Sequence, residues 1–346
     1  MRVVWIPVMS VALALGQAAA PRWTLHTSGV GANVTFRGVS AASDTVAWAS
    51  GSRGTVLRTT DAGATWTAVT VPDAAALDFR DVDAMGPDVA YLLSIGNGDK
   101  SRIYKTLDAG AHWEPQFLNT DPKVFLDAMT FADASHGVVI GDSIDGKFFI
   151  LRTADAGRTW SRVPPEALPE ALPNEGAFAA SGTNVAYRGS HVWIGTGAST
   201  VSRVLHSSDH GKTWSVATTP IPANGSSGIF SIAFRDTQHG VVVGGNYSKE
   251  KEAVDNIAVT SDGGKTWALV KEHGLSGFRS VVAYVPRART PTLLAVGPQG
   301  ADLSSDDGRT WAPIGTEGFH TFSFAPSGRV GWGAGGRGRL GRLEGW

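Results

Sequence analysis

Apolar residues in this chain come in short runs, broken every few residues by polar clusters rich in Gly, Asp, Ser and Thr. Runs of that length, with Val, Thr, Phe and Trp prominent, read as strands, and helical spacing of apolar positions is scarce. Residues 36–69 show the unit. Phe36-Arg37-Gly38-Val39, Thr45-Val46-Ala47-Trp48 and Thr55-Val56-Leu57-Arg58 are three candidate strands, and a fourth follows Trp66. Four strands joined by turns predict a small antiparallel meander. The pattern restarts at Phe79, near Leu126, near Phe178, at Ile229, at Phe278-Arg279-Ser280-Val281 and at Phe319-His320-Thr321-Phe322.

The turn after the third strand carries the strongest signal. Ser/Thr-x-Asp-x-Gly-x-Thr-Trp occurs six times, and only one copy departs from it, with His112 in place of Thr. The aspartates are Asp61, Asp108, Asp155, Asp209, Asp262 and Asp306, spaced by 47, 47, 54, 53 and 44 residues. A short Asp accepts hydrogen bonds from backbone N–H groups just ahead of it, Gly permits a positive φ, and the Trp opening the next strand brings a large ring to bury. The octet resembles the Asp-box, or BNR repeat. These residue types explain the six aspartates as turn formers without catalysis, and each turn has too few carboxylates for a calcium site. A repeat of this length with one tight turn per unit predicts a β-propeller of four-stranded blades.

The ends of the chain set the blade count. Trp23-Thr24-Leu25 looks like a fourth strand with no turn before it, and residues 318–346 look like three strands with none after. An N-terminal strand completing the C-terminal blade would close the ring and remove both free edges. The expectation is an all-β, seven-bladed propeller in one domain, 21–346, at about 47 residues per blade.

Composition adds an address and some exclusions. Arg2, the apolar run from Val3 to Leu15 and Ala18-Ala19-Ala20 read as a secretory signal over residues 1–20, so a periplasmic or secreted protein is expected. With no cysteine there is no disulfide or thiol nucleophile. Loss of Arg2 leaves 29 basic against 31 acidic residues, a net charge of −2, with no bulk field for nucleic acid. No transmembrane segment follows the signal, and a monomer is expected. Gly333-Ala334-Gly335-Gly336-Arg337-Gly338 fits a dinucleotide-binding pattern, but too little chain follows for the required helix and acidic residue, so it reads as a strand–turn–strand. Arg162-Val163-Pro164 reads as a strand entering a link. His136 and His239 occupy equivalent repeat positions, and the nine histidines show no metal spacing. Neither metal nor cofactor is expected.

In a propeller the octet turns share one face, and the insertions fall on the other. Those are the Pro-rich link 163–176, the charged turn 245–256, and shorter ones at 94–100 and 142–147. Elaborated loops on a rigid scaffold are where ligands bind. The inner strands begin at that face. Aligned on Val39, Val82, Met129, Phe178, Ile232, Val281 and Phe322, they place Arg37, Arg80, Asp127, Gly176, Phe230, Arg279 and His320 around the channel mouth, with Glu175 beside Gly176. Three arginines and a histidine predict a locally positive mouth suited to a carboxylate. The alternative is that the arginines pair with neighbours such as Asp81 or Asp127 and only seal the channel.

The octets, the Phe-Arg-x-Val strand starts and the His-Gly-Val-Val-x-Gly pattern together resemble the photosystem II assembly factor family of the Ycf48/HCF136 type, over about 22–346. The resemblance implies an exported, non-enzymatic propeller that binds membrane-protein assembly intermediates through an arginine-bearing face. Arg37, Arg80 and Arg279 are the positions that would carry this over, in a ring interrupted by Asp127, Gly176 and Phe230. The expected function is therefore binding of a protein or peptide partner, with no catalytic residue. The alternative is a glycoside hydrolase of sialidase-like or xyloglucanase-like type, which would use the carboxyls of Asp127 and Glu175 on either side of the scissile bond.

Overall fold

The computed structural model describes residues 21–345. The segment read as a secretory signal, 1–20, lies outside the described residues. Seven four-stranded antiparallel sheets surround a central axis. Their inner strands, A, are Phe36–Ala41, Asp78–Ala84, Leu126–Phe131, Val185–Arg188, Ser227–Phe234, Val281–Tyr284 and Thr321–Phe324, and define blades 1 to 7. In six blades strands A to D follow chain order. In blade 7 the outer strand is Arg22–Thr27, paired antiparallel to Arg339–Glu344 with Trp23 opposite Leu343. The predicted closure is therefore present.

The octet turns are built alike. In blade 1 the Thr59 hydroxyl donates to Asp61 Oδ1 (2.9 Å) and accepts from the Gly63 amide (2.9 Å). Asp61 then accepts from the Thr65 amide (2.9 Å) and hydroxyl (2.6 Å). Where His112 replaces Thr, its ring nitrogen reaches Asp108 Oδ2 at 2.6 Å, preserving the last bond. Gly63 has φ +85°, and a Cβ there would press on Trp332 of the preceding blade. Gly110 meets Trp48, Gly157 meets Tyr91 and Gly264 meets Trp193 in the same way. The turn is thus also the blade-to-blade contact. Its Trp packs there too, with Trp66 edge-on to Trp332 at 5.6 Å and Trp113 edge-on to Trp48 at 6.0 Å.

Hydrogen bonds to the ionised form hold these carboxylates low. The hydroxyl and amide of Thr65 bring Asp61 down to about 2, and the His112 amide and ring do the same for Asp108. A depressed folded value means the contribution of the turns is complete above the unfolded value near 4 and is lost as pH falls toward 2. Acid titration followed by tryptophan fluorescence is expected to show stability falling across that window. The Asp61→Asn protein is expected to lose less across it.

Two inner strands differ from the sequence-based alignment. In blade 4, Val185 pairs with Ile194 and Leu205 lies beyond it, as Val39 pairs with Ala49 and Leu57. Val185 therefore occupies the place assigned to Phe178, and Thr183 the place assigned to Gly176. In blade 6 the slip is one residue. The Val282 amide bonds Ser231 Oγ (2.9 Å) as the Met129 amide bonds Asp81 Oδ2 (2.8 Å). Val282, not Val281, is thus equivalent to Met129, so Ser280 takes the mouth position and Arg279 the buried one held by Phe36 in blade 1. The Gly-rich segment 333–338 spans the end of strand B and the turn into strand C of blade 7, and Arg162 ends a strand D, as expected.

The displaced residues 177–184 run across the axis and plug the channel. Ala179 O accepts from Arg80 Nη1 (2.8 Å) and Ala180 O from Arg37 Nη1 (3.4 Å). Ser181 Oγ donates to Ser280 O (2.8 Å), and Ser181 O accepts from Thr321 Oγ1 (3.0 Å). Thr183 O accepts from the Ile232 amide (2.9 Å). The run Ala179-Ala180-Ser181-Gly182 suits the narrow axis. Gly182 has φ +74°, and a Cβ there would collide with the Asp81 carboxylate.

Candidate functional site: the cup at the channel mouth

On the face carrying the long loops, the plug leaves a blind cup of about 370 Å³. Its lining includes Arg37, Arg80, Asp127, Phe230 and His320 from the predicted ring. Four of these are placed by one device. The A–B pairing skips a residue between Phe36 and Gly38, Phe79 and Asp81, Leu126 and Ala128, and Ile229 and Ser231. The extra residue of each bulge is Arg37, Arg80, Asp127 or Phe230. A bulge re-aims the side chain of its unpaired residue, and here that aim is into the cup.

Two predicted site residues are elsewhere. Arg279 is only 1% exposed, and its Nε donates to Asp302 Oδ2 at 2.7 Å, with further bonds to Ser276 Oγ and Phe278 O. Glu175 is also 1% exposed. It forms a two-oxygen ion pair with Arg203 and accepts from the Thr196 hydroxyl (2.7 Å) and the Leu172 amide (2.8 Å). Both are buried ion pairs, so the proposed hydrolase pair of Asp127 with Glu175 does not form.

The cup is divided by chemistry. Blades 7, 1 and 2 contribute His320, Arg37 and Arg80. Arg80 is held by Asp78 (2.9 Å) and by the plug. Burial, together with the Arg80 charge, lowers Arg37 to about 10, so it stays protonated at neutral pH, and its Nε has no hydrogen-bond partner. Burial and the two guanidinium groups push His320 down to about 4, so it is neutral at pH 7. Blade 3 contributes two carboxyls, Asp127 and Asp142. Glu250, on the loop between Asn246 and Ile257, adds a third and is bonded to Gln299 at 2.7 Å. The predicted excess of positive charge is therefore not there: two arginines face three acidic residues.

The remaining wall is aromatic, and of it only Phe230 was placed at the mouth from the sequence. Phe178 of the plug stacks on Phe230, with centroids 4.0 Å apart at 8°. Phe278 meets Phe230 edge-on at 4.7 Å. Tyr247, 48% exposed on the same loop as Glu250, stands edge-on to Phe178 and Phe230 at 6.3 and 6.1 Å. Its place in the long charged turn was the available signal.

Asp142 was also missed as a site residue, although its turn was noted as an insertion. It too is a bulge residue, skipped between Gly141 and Ser143, and it accepts from the Ala177 amide. A Cβ on Gly176 would collide with its carboxylate, so only glycine lets the plug start there. Burial pushes Asp142 up to about 6. A raised folded value makes the group a burden that is absent below the unfolded value near 4 and fully present above 6. Asp142→Asn, which keeps an acceptor for Ala177, is expected to add about 2–3 kcal/mol at pH 7 and well under about 1 kcal/mol at pH 4. Denaturant melts at both pH values check this.

Fold and repeated turn define the chain as a seven-bladed Asp-box propeller. Residues 112–223 match the family described as photosynthesis system II assembly factor YCF48, so the resemblance read from the sequence holds. Among solved structures, YCF48 bound to D1 peptide matches with a TM-score of 0.63 at 20% identity, over 95% of this chain and 98% of that one. YCF48 from Cyanidioschyzon merolae matches with 0.65 at 17% identity, over 94% and 99%. The GH74 xyloglucanase from Xanthomonas campestris matches with 0.61 at 16% identity, over 92% of this chain and 53% of that one. At these identities the structural likeness speaks for the fold. No curated protein matches the sequence.

Proposed function

We propose that this protein is an exported, non-catalytic propeller that binds an extended segment of a partner protein in the cup. By the resemblance, the partner would be a membrane protein during assembly. The observation that carries the reading is the cup itself: a blind, bulge-lined depression with an aromatic wall facing two arginines, bordered by the long charged loop. Aromatic faces and fixed guanidinium groups are the usual anchors of a peptide interface. The YCF48 structure with a D1 peptide lends support, because that relative shares this fold.

Binding by Arg37→Ala/Arg80→Ala and by Phe178→Ala/Tyr247→Ala tests the reading. Panned peptide ligands are expected to bind each double variant at least about tenfold more weakly, with circular dichroism unchanged. Unchanged affinity in both would move the site off this face. A glycan panel gives the other check. Turnover abolished by Asp127→Asn would replace binding with hydrolysis, and none is expected.

A further inference from the structure

We propose that Asp127 and Asp142 form a subsite for a basic side chain, lysine or arginine, of the bound peptide. The proposal rests on the peptide reading and names what the ligand must carry. Asp127 is 1% exposed, lines the cup, and leaves Oδ2 without a hydrogen-bond partner. Buried polar atoms are nearly always satisfied, so an orphan carboxylate oxygen in the wall of a cavity points to a missing partner. The fold does not require a carboxylate here, because equivalent bulges carry Arg37, Arg80 and Phe230. Nor is Asp127 an interblade link. That bond is made by Asp81 to the Met129 amide and by Ser231 to the Val282 amide.

The adjacent bulge sets Asp142 near it: burial raises Asp127 well above the usual carboxylate range, and the Asp142 charge adds to that rise while Arg80 opposes it. Among the described residues no cation is hydrogen-bonded to the pair, although the Arg80 charge reaches Asp127. Arg80 is turned to Asp78 and Ala179 O, Arg37 to Ala180 O, and His320 is uncharged at neutral pH. Glu250 adds acid, not base, to the lining. Two carboxylates offer too few oxygens for a hard metal ion. An ammonium or guanidinium supplies hydrogen-bond donors together with the charge, and its aliphatic stem can lie along the aromatic wall.

The test pans a random peptide library against the full chain and against Asp127→Asn/Asp142→Asn, at pH 7.5 and pH 5. The wild type is expected to enrich a Lys or Arg at one position beside an aromatic residue. In the Asn variant that preference should fall by about 10- to 100-fold while the aromatic preference remains. It should also weaken in the wild type at pH 5, where the carboxyls take up protons. Enrichment of peptides without a basic residue, or a basic preference kept by the Asn variant, would overturn the subsite and leave the peptide reading intact. No enriched peptide at all would remove both. Melting curves complete the test. The Asn variant is expected to melt no lower than wild type at pH 7.5, and a lower melting temperature would assign the pair a structural job and overturn the proposal.

Discussion

Replacing Arg279 with alanine is expected to cost about 3–5 kcal/mol of folding stability without weakening peptide binding by the fraction that folds. The reason is burial. The side chain sits where blades 1 and 7 place Phe36 and Phe319, and its charge is matched by Asp302, which is 0% exposed. Removing the guanidinium leaves an enclosed carboxylate with no counter-charge and only the Ser276 amide bonded to it (3.3 Å). Removing both charges with an apolar pair, Arg279→Met/Asp302→Leu, is expected to recover most of the loss, because the desolvation cost of the ions goes with them. Urea melts of the three proteins decide it. A mild effect from Arg279→Ala together with lost binding would return Arg279 to the mouth.

Gly182→Val is expected to destabilise the protein by about 4 kcal/mol, combining a β-branched residue at positive φ with overpacking against Asp81. The loss should also spread. Ser181 and Thr183, on either side, bond blades 5, 6 and 7, so a displaced plug loosens contacts around the ring. Ser181→Ala, which removes one hydroxyl without adding volume, is expected to cost about 1–3 kcal/mol. Denaturant midpoints check both. A Gly182→Val protein as stable as wild type would mean the plug does not fill the axis.

The blade count was legible because its signal is local. Thr59, Asp61, Gly63 and Thr65 bond one another within seven residues, so the sequence pattern and the hydrogen-bond pattern coincide. The mouth was less legible because it depends on register. Phe278-Arg279-Ser280-Val281 imitates Phe36-Arg37-Gly38-Val39, yet the chain enters blade 6 one residue out of step, and one step in a strand turns a side chain to the opposite face. Arg37, Arg80, Asp127 and His320 were placed correctly because their strands keep the common register. The plug escaped notice for another reason. Its alanines, serine and glycine carry no strand period, and only the axis gives them a role. Asp142 was hidden as the first residue of a turn, when it is the extra residue of a second bulge.

The central claim, that the cup holds the ligand, is tested most directly by hydrogen exchange on the full chain with and without a bound peptide. The account predicts added protection in the plug at 177–184 and in the mouth loop at 246–256, with the octet turns unchanged. Protection confined to the octet face, or none in the plug and mouth loop, would contradict it.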